Sequence, residues 1–137
     1  MTKEYTIGSG KTIKVTAKNK RVAKRFQGGE DHYAYTIVFQ VVGNDVAFKT
    51  PYHDSVYNFS RGRGYSEELI DSAVYCILMD AYSYEECRDV ETFCRTFDYE
   101  DVNQGRKVYN ACRDTYEIIH ALLTEEEIEE LYNIVEQ

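Results

Sequence analysis

Tyr33-Ala34-Tyr35-Thr36-Ile37-Val38-Phe39-Gln40-Val41-Val42 is the stretch that decides the fold. Tyr33, Tyr35, Ile37, Phe39 and Val41 alternate with Ala34, Thr36, Val38, Gln40 and Val42, the two-residue period of an extended segment. β-Branched and aromatic residues dominate and no glycine or proline interrupts, so a strand over Tyr33–Val42 follows. Gly43-Asn44-Asp45 turns the chain into a further strand, Val46–Thr50, which Pro51, the only proline, is expected to end. Upstream, Tyr5–Ile7 and Thr12–Ala17 flank the turn Gly8-Ser9-Gly10. In the second of these runs Ile13, Val15 and Ala17 share one face, while Lys14, Thr16 and Lys18 share the other and are expected to face solvent. A basic connector, Lys18–Arg25, separates the two hairpins.

Beyond Ser60–Tyr65 the period becomes helical. Ser66 before Glu67 and Glu68, Ser83 with Glu86, Asp101 with Gln104, and Thr124 with Glu127 each have the spacing of a helix start. A one-sided apolar stripe follows each: Leu69, Ile70, Ala73, Val74, Ile77 and Leu78; Cys87, Val90, Cys94 and Phe97; Val108, Tyr109, Cys112, Ile119 and Leu122; Ile128, Leu131 and Val135. Strands followed by helices predict an α+β fold: a small antiparallel sheet packed against three to four C-terminal helices. A length of 137 residues implies a single domain, with a basic β part over 1–59 and an acidic helical part over 60–137.

The two parts differ sharply in charge. Residues Met1–Arg63 carry eleven cations against five acids, a net of +6; the rest carries five against nineteen, a net of −14, giving −8 overall. Such a split bears on partners, since a charge field steers association without deciding fold. There is no apolar run near the ~20 residues of a membrane helix and no signal core at the N-terminus, so a cytoplasmic protein without membrane association is expected. Cys76, Cys87, Cys94 and Cys112 fall in helical segments without a Cys-x-x-Cys clip. They read as reduced core cysteines, with zinc as the weaker alternative. The sequon at Asn58 is correspondingly expected to stay unmodified.

The motifs that imitate chemistry fail on detail. Gly10-Lys11-Thr12 resembles the end of a phosphate-binding loop, but Tyr5 stands where the first glycine belongs and a strand follows. Asp98, Glu100, Asp101, Asn103 and Gly105 imitate a calcium loop with the glycine misplaced and no closing Glu. His32, His53 and His120 are scattered, and no nucleophile is paired with a base. No catalytic residue, metal ligand or cofactor is therefore nominated, and a non-enzymatic binding protein is expected.

Two charged features remain. Glu67, Glu68, Asp71, Glu85, Glu86, Asp89 and Glu91 crowd two successive helices beside Tyr75, Met79 and Tyr82. Carboxylates mixed with aromatic and thioether surface suit a contact face, here one that mimics DNA toward a basic protein. Glu85, Glu86 and Asp89 are expected on the polar side of a helix opened by Ser83. The second feature is the patch Lys14, Lys18, Lys20, Arg21, Lys24 and Arg25, to which Arg61 and Arg63 could add. It suits nucleic acid, or else pairs with the acidic helices of the same chain.

Three stretches carry a resemblance: Asp71-Ser72-Ala73-Val74-Tyr75-Cys76-Ile77-Leu78-Met79-Asp80-Ala81, then Glu91-Thr92-Phe93-Cys94, then Phe97-Asp98-Tyr99 with Lys107-Val108-Tyr109-Asn110-Ala111-Cys112. They resemble a family of small uncharacterised proteins of phages and conjugative elements in Gram-positive bacteria. Relatives usually have Gly-Tyr in place of Asp98-Tyr99, and often Trp in place of Phe93. The resemblance implies a mobile-element setting in a bacterial cytoplasm. An inhibitor of host defence of the anti-CRISPR kind is then expected, whose partner is a basic host protein such as a CRISPR nuclease. An accessory protein that binds nucleic acid through the basic patch is the alternative.

Overall fold

The computed structural model describes residues 1–23, 32–55 and 66–136. Lys24, Arg25, Asn58 and the Ser60–Tyr65 stretch lie outside the described residues, as do the side chains of Ser66, Glu67 and Glu68.

Four strands come first: β1 (Thr2–Thr6), β2 (Thr12–Ala23), β3 (His32–Val41) and β4 (Ala47–Ser55). They pair in chain order as one antiparallel sheet. Phe39 sits between Val15 and Phe48 in the register, and Ile37 between Ala17 and Thr50. The period-2 pattern of the opening stretch thus lines up with its neighbours and places Tyr5, Ile13, Val15, Tyr35, Ile37, Phe39 and Phe48 on one buried face. Burying each such large side chain contributes roughly 1.5–3 kcal/mol.

Two strand boundaries differ from expectation. The basic connector is strand as far as Ala23, because β3 extends to His32 and its backbone needs a partner there. Pairing survives the mismatch through a bulge between Lys18 and Arg21, with Asn19 at φ 58°. Pro51 does not end β4, which continues to Ser55. As β4 is an edge strand, a missing N–H that points away from β3 costs nothing there.

Four helices follow among the described residues: α1 (Ser66–Glu86), α2 (Val90–Thr96), α3 (Val102–Leu122) and α4 (Glu125–Val135). None is long and apolar enough to cross a membrane. Ser83 does not open a helix. It lies inside α1, its hydroxyl donating to the Met79 carbonyl one turn back at 2.9 Å. The start of α2 belongs instead to Asp89, which accepts from the Thr92 N–H at 3.0 Å and the Thr92 hydroxyl at 2.6 Å. Asp101 caps α3 and Thr124 caps α4, the latter with the reciprocal Glu127 box that its spacing implies.

The sheet's buried face is covered by α1, the C-terminal half of α3 and α4, which supply Leu69, Val74, Ile77, Ile119, Leu122 and Leu131. α2 takes no part in that core. It forms a satellite cluster in which Phe93 packs on Tyr109 edge to face, with ring centroids 5.6 Å apart, beside Cys87 and Cys112.

The basic and acidic halves are joined by two polar anchors. Lys3 donates to both Asp71 oxygens, at 2.8 and 3.0 Å, and the Tyr5 hydroxyl donates to the same carboxylate. At the other end of α1's layer, Glu127 accepts from Lys11 at 2.8 Å, from the Ser9 hydroxyl and from the Thr124 N–H. Glu130 accepts from the Gly8 N–H. The Gly10-Lys11-Thr12 motif is therefore a turn whose lysine holds a helix of its own chain.

Glu127 is 6% exposed, and its carboxyl is held down at about 2, from an ordinary 4.5, by Lys11 first, then Ser9 and Thr124. A depressed carboxyl stabilises the fold fully above pH 4.5 and loses that contribution as pH falls toward 2. Melting temperature followed across this window should fall in the native protein. The Glu127→Gln variant should start lower at neutral pH and converge on the native curve in acid.

Cys87, Cys94 and Cys112 are buried as the stripes imply, whereas Cys76 is exposed. The stripe Ala73, Val74, Ile77, Leu78 turns Ser72, Cys76 and Asp80 outward as a row at four-residue spacing. None of the four cysteines is in a disulfide. Burial, followed by the Asp80 carboxylate, pushes the Cys112 thiol up to about 12. A thiol reagent should accordingly modify Cys76 alone in the native protein and all four cysteines after denaturation, counted by intact mass.

Candidate protein-binding groove

The amphipathic stripe of α1 is wider than one partner can cover. Leu78 and Ala81 lie at its C-terminal half, where α4 crosses, and Met79 and Tyr82 sit one position further round. α4 brings Leu131 and Val135 to the core, which leaves Ile128 and Tyr132 half-buried on the flank that faces α1. Between the two helices lies a groove of about 600 Å³. Leu78, Met79, Ala81, Ile128 and Tyr132 form its apolar lining, with His120 from α3 at one end.

Both banks are acidic. Glu85 stands on α1, and Glu125 and Glu129 stand one turn apart on α4; among the described residues no Lys or Arg lines the groove. Tyr82, 50% exposed, rises from the α1 bank and donates to Glu86 at 3.0 Å. That bond and the Glu86 charge raise the Tyr82 hydroxyl above its ordinary range.

Glu85 and Glu86 occupy the last turn of a 21-residue helix that has no basic residue there. The helix dipole is negative at that end, so carboxylates are disfavoured, typically by about 0.3–1 kcal/mol each. These charges work against the stability of α1.

The residues nominated from the sequence divide accordingly. Met79, Tyr82 and Glu85 converge in the groove, and Tyr75 borders it by stacking on Tyr132, centroids 5.7 Å apart. Glu86 is exposed next to Glu85 on α1, and Glu91 is exposed on α2, which does not line the groove. Asp71 is held by Lys3 and Tyr5 against β1, away from the groove. Asp89 does not share a helical face with Glu85 and Glu86; its carboxylate caps α2, and the Thr92 hydroxyl and N–H keep it below the usual carboxylate range. Ile128, Tyr132, Glu125 and Glu129 join the groove from α4. Their signal was the i, i+4 pair Ile128 and Tyr132, one position off the Leu131–Val135 row.

Of the basic patch, Lys14, Lys18 and Arg21 project from the outer face of the sheet, and Lys20 lies over the Tyr33 ring at 4.4 Å. No family model, curated protein or solved structure matches this chain.

Proposed function

We propose that the protein is a non-enzymatic binding module whose groove between α1 and α4 receives a basic, amphipathic segment of a nucleic-acid-handling protein. The observation that carries this reading is an apolar floor between two acidic banks, with no Lys or Arg on either among the described residues. A helix laid in such a groove places residues at i, i+3, i+4 and i+7 on the floor and its Lys and Arg against Glu85 on one side and Glu125 and Glu129 on the other. Met79 supplies an adaptable surface, and Tyr82 and Tyr132 supply rings with polar tips. The unfavourable carboxylates at the end of α1 support the same reading, because a binding role explains charges that stability does not.

In the mobile-element setting that the resemblance implies, the partner is a host nuclease of the CRISPR kind and the result of docking is its inhibition. Glu86, Asp89 and Glu91 extend the negative surface beyond the groove and stand in for nucleic-acid phosphates.

The test is a titration of two fluorescent amphipathic helical peptides, one carrying Lys and Leu and the other Glu in place of Lys, at low and high salt. The basic peptide should bind, with affinity that falls as salt rises, and the acidic one should not. Binding of both alike, or of neither, would refute the groove reading. A pull-down from host lysate at the same two salt concentrations then identifies the natural partner.

A further inference from the structure

The sheet has a second face, which none of the four described helices covers. Pairing of Lys14 with Gln40, Thr16 with Val38 and Val38 with Lys49 puts these residues on the side opposite Val15, Phe39 and Phe48. Beyond the bulge, Arg21 opposite Ala34 returns to the same outer side. Lys18, Arg21 and Lys49 are exposed and Lys14 half-buried, and among the described residues none of the four is in a salt bridge. The cations that do pair with helical acids, Lys3 and Lys11, sit instead at the sheet's inner edge and in its first turn. Among the described strand residues Glu4, opposite Lys14 in the register, is the one acid that offsets the outer face.

We propose that this outer face binds the phosphate backbone of duplex nucleic acid, a second site independent of the groove. Lys14 and Lys18 lie roughly 13 Å apart along β2, and Lys49 lies about 10 Å across from Thr16. A duplex carries one charge per ~1.7 Å of axis, so a patch of this size meets several phosphates at once. The Thr2 and Thr16 hydroxyls, 3.3 Å apart on this face, are further donors to phosphate oxygens. The rings of Tyr35, Phe39 and Phe48 are all on the buried side, and the described outward positions of the strands carry no Tyr or Phe. Single strands are held largely by stacking bases on such rings, so this face is built for backbone contact rather than for unpaired bases.

The overall charge of −8 does not prevent this. The helices lie on the other side of the sheet, about 10 Å away; Glu85, Glu86, Glu125 and Glu129 are exposed there, while Asp71 and Glu127 are already paired with Lys3 and Lys11. A phosphate that touches the outer face therefore meets the exposed cations first, and the more distant carboxylates are weakened further as salt rises. With both sites in use, the protein would engage a basic protein and the duplex that protein handles at the same time.

The experiment is fluorescence anisotropy with a labelled 20-base-pair duplex and the matching single strand, from 50 to 200 mM salt. Four phosphate contacts predict a log–log salt slope of about −3.6 on duplex, a loss of about 10²-fold over this range. Replacing Lys14, Lys18, Arg21 and Lys49 together by Ala should remove binding. Lys18→Ala alone, at an exposed position that leaves the fold intact, should lower the slope by about 0.9. Both variants should still bind the basic peptide, which separates failure of this site from failure of the groove. Tighter binding of the single strand, no duplex binding at 50 mM salt, or an unchanged slope in Lys18→Ala would overturn the proposal.

Discussion

Replacing Glu85, Glu125 and Glu129 by Lys is expected to weaken binding of a basic amphipathic peptide by at least about 10²-fold while leaving the fold as stable as before. Each reversal turns an attraction across the groove into a repulsion, and like charges at a contact oppose docking as strongly as unlike ones favour it. The three substitutions are chosen so that stability does not confuse the result. Glu85→Lys relieves a carboxylate at the negative end of α1, whereas Glu125→Lys removes one from the favourable first turn of α4. The two dipole effects are each about 0.3–1 kcal/mol and opposite in sign. Asp89 and Glu127 are left intact because one caps α2 and the other anchors the first hairpin. The affinity lost should be recovered when the peptide's Lys residues are exchanged for Glu. Full affinity in the triple variant, or loss without rescue by the acidic peptide, would exclude charge complementarity as the basis of recognition.

Gly105→Ala is expected to destabilise the protein, against the ordinary sign of this substitution. Inside a helix Ala is favoured over Gly by about 1 kcal/mol. Gly105, buried in the first turns of α3, faces α2 and the chain just beyond it. A Cβ there would lie 2.3 Å from the Cys94 sulfur and 3.0 Å from the Tyr99 Cβ. The first cannot be accommodated without a shift, and the second needs Tyr99 to give way, which is resisted because its N–H bonds the Cys94 carbonyl at 2.9 Å and its ring stacks on Phe93. Overpacking of this kind costs about 1–3 kcal/mol, enough to cancel and exceed the propensity gain. The Cys94→Ala/Gly105→Ala double variant removes the sulfur and should recover much of the loss, a coupling that thermal melts of the four-member cycle would measure. If Gly105→Ala melts at or above the native temperature, the close approach of α3 to α2 is wrong.

The elements that could be read from the sequence are those in which one local signal points the same way as the tertiary context. The ring alternation from Tyr33 to Val41 needed only a covered face, and Asp101 and Thr124 each precede a clear apolar period. Misreadings arose where a local signal was outcompeted. Ser83 has the residue type and spacing of a cap, yet continuing α1 to Glu86 satisfies the backbone and lets the hydroxyl bond within the helix. Pro51 marks an end only in a strand with two neighbours, and edge position is a property of the sheet rather than of any segment. The Lys18–Arg21 run has no strand pattern because a bulge breaks its alternation. The α1 bank of the groove was visible in Met79, Tyr82 and Glu85. The α4 bank was not, because the crossing of two helices distant in sequence sets which of Ile128 and Tyr132 faces the other.

The grip of Glu127 and Glu130 on the Gly8–Lys11 turn has a kinetic side. Residues 8–11 are locked by residues made more than a hundred positions later. During synthesis the sheet can pair as soon as residues 32–55 emerge, but Leu131 and the clamp on its first turn arrive only with α4. At about 5–20 residues per second, the part of the sheet's inner face that α4 covers stays open for several seconds. Contacts of such long sequence separation also slow the search itself, since loops must close before they are rewarded. A ribosome stalled before Glu125 should hold a chain that proteases still cut within β2 and β3, and release of α4 should end that sensitivity in one step.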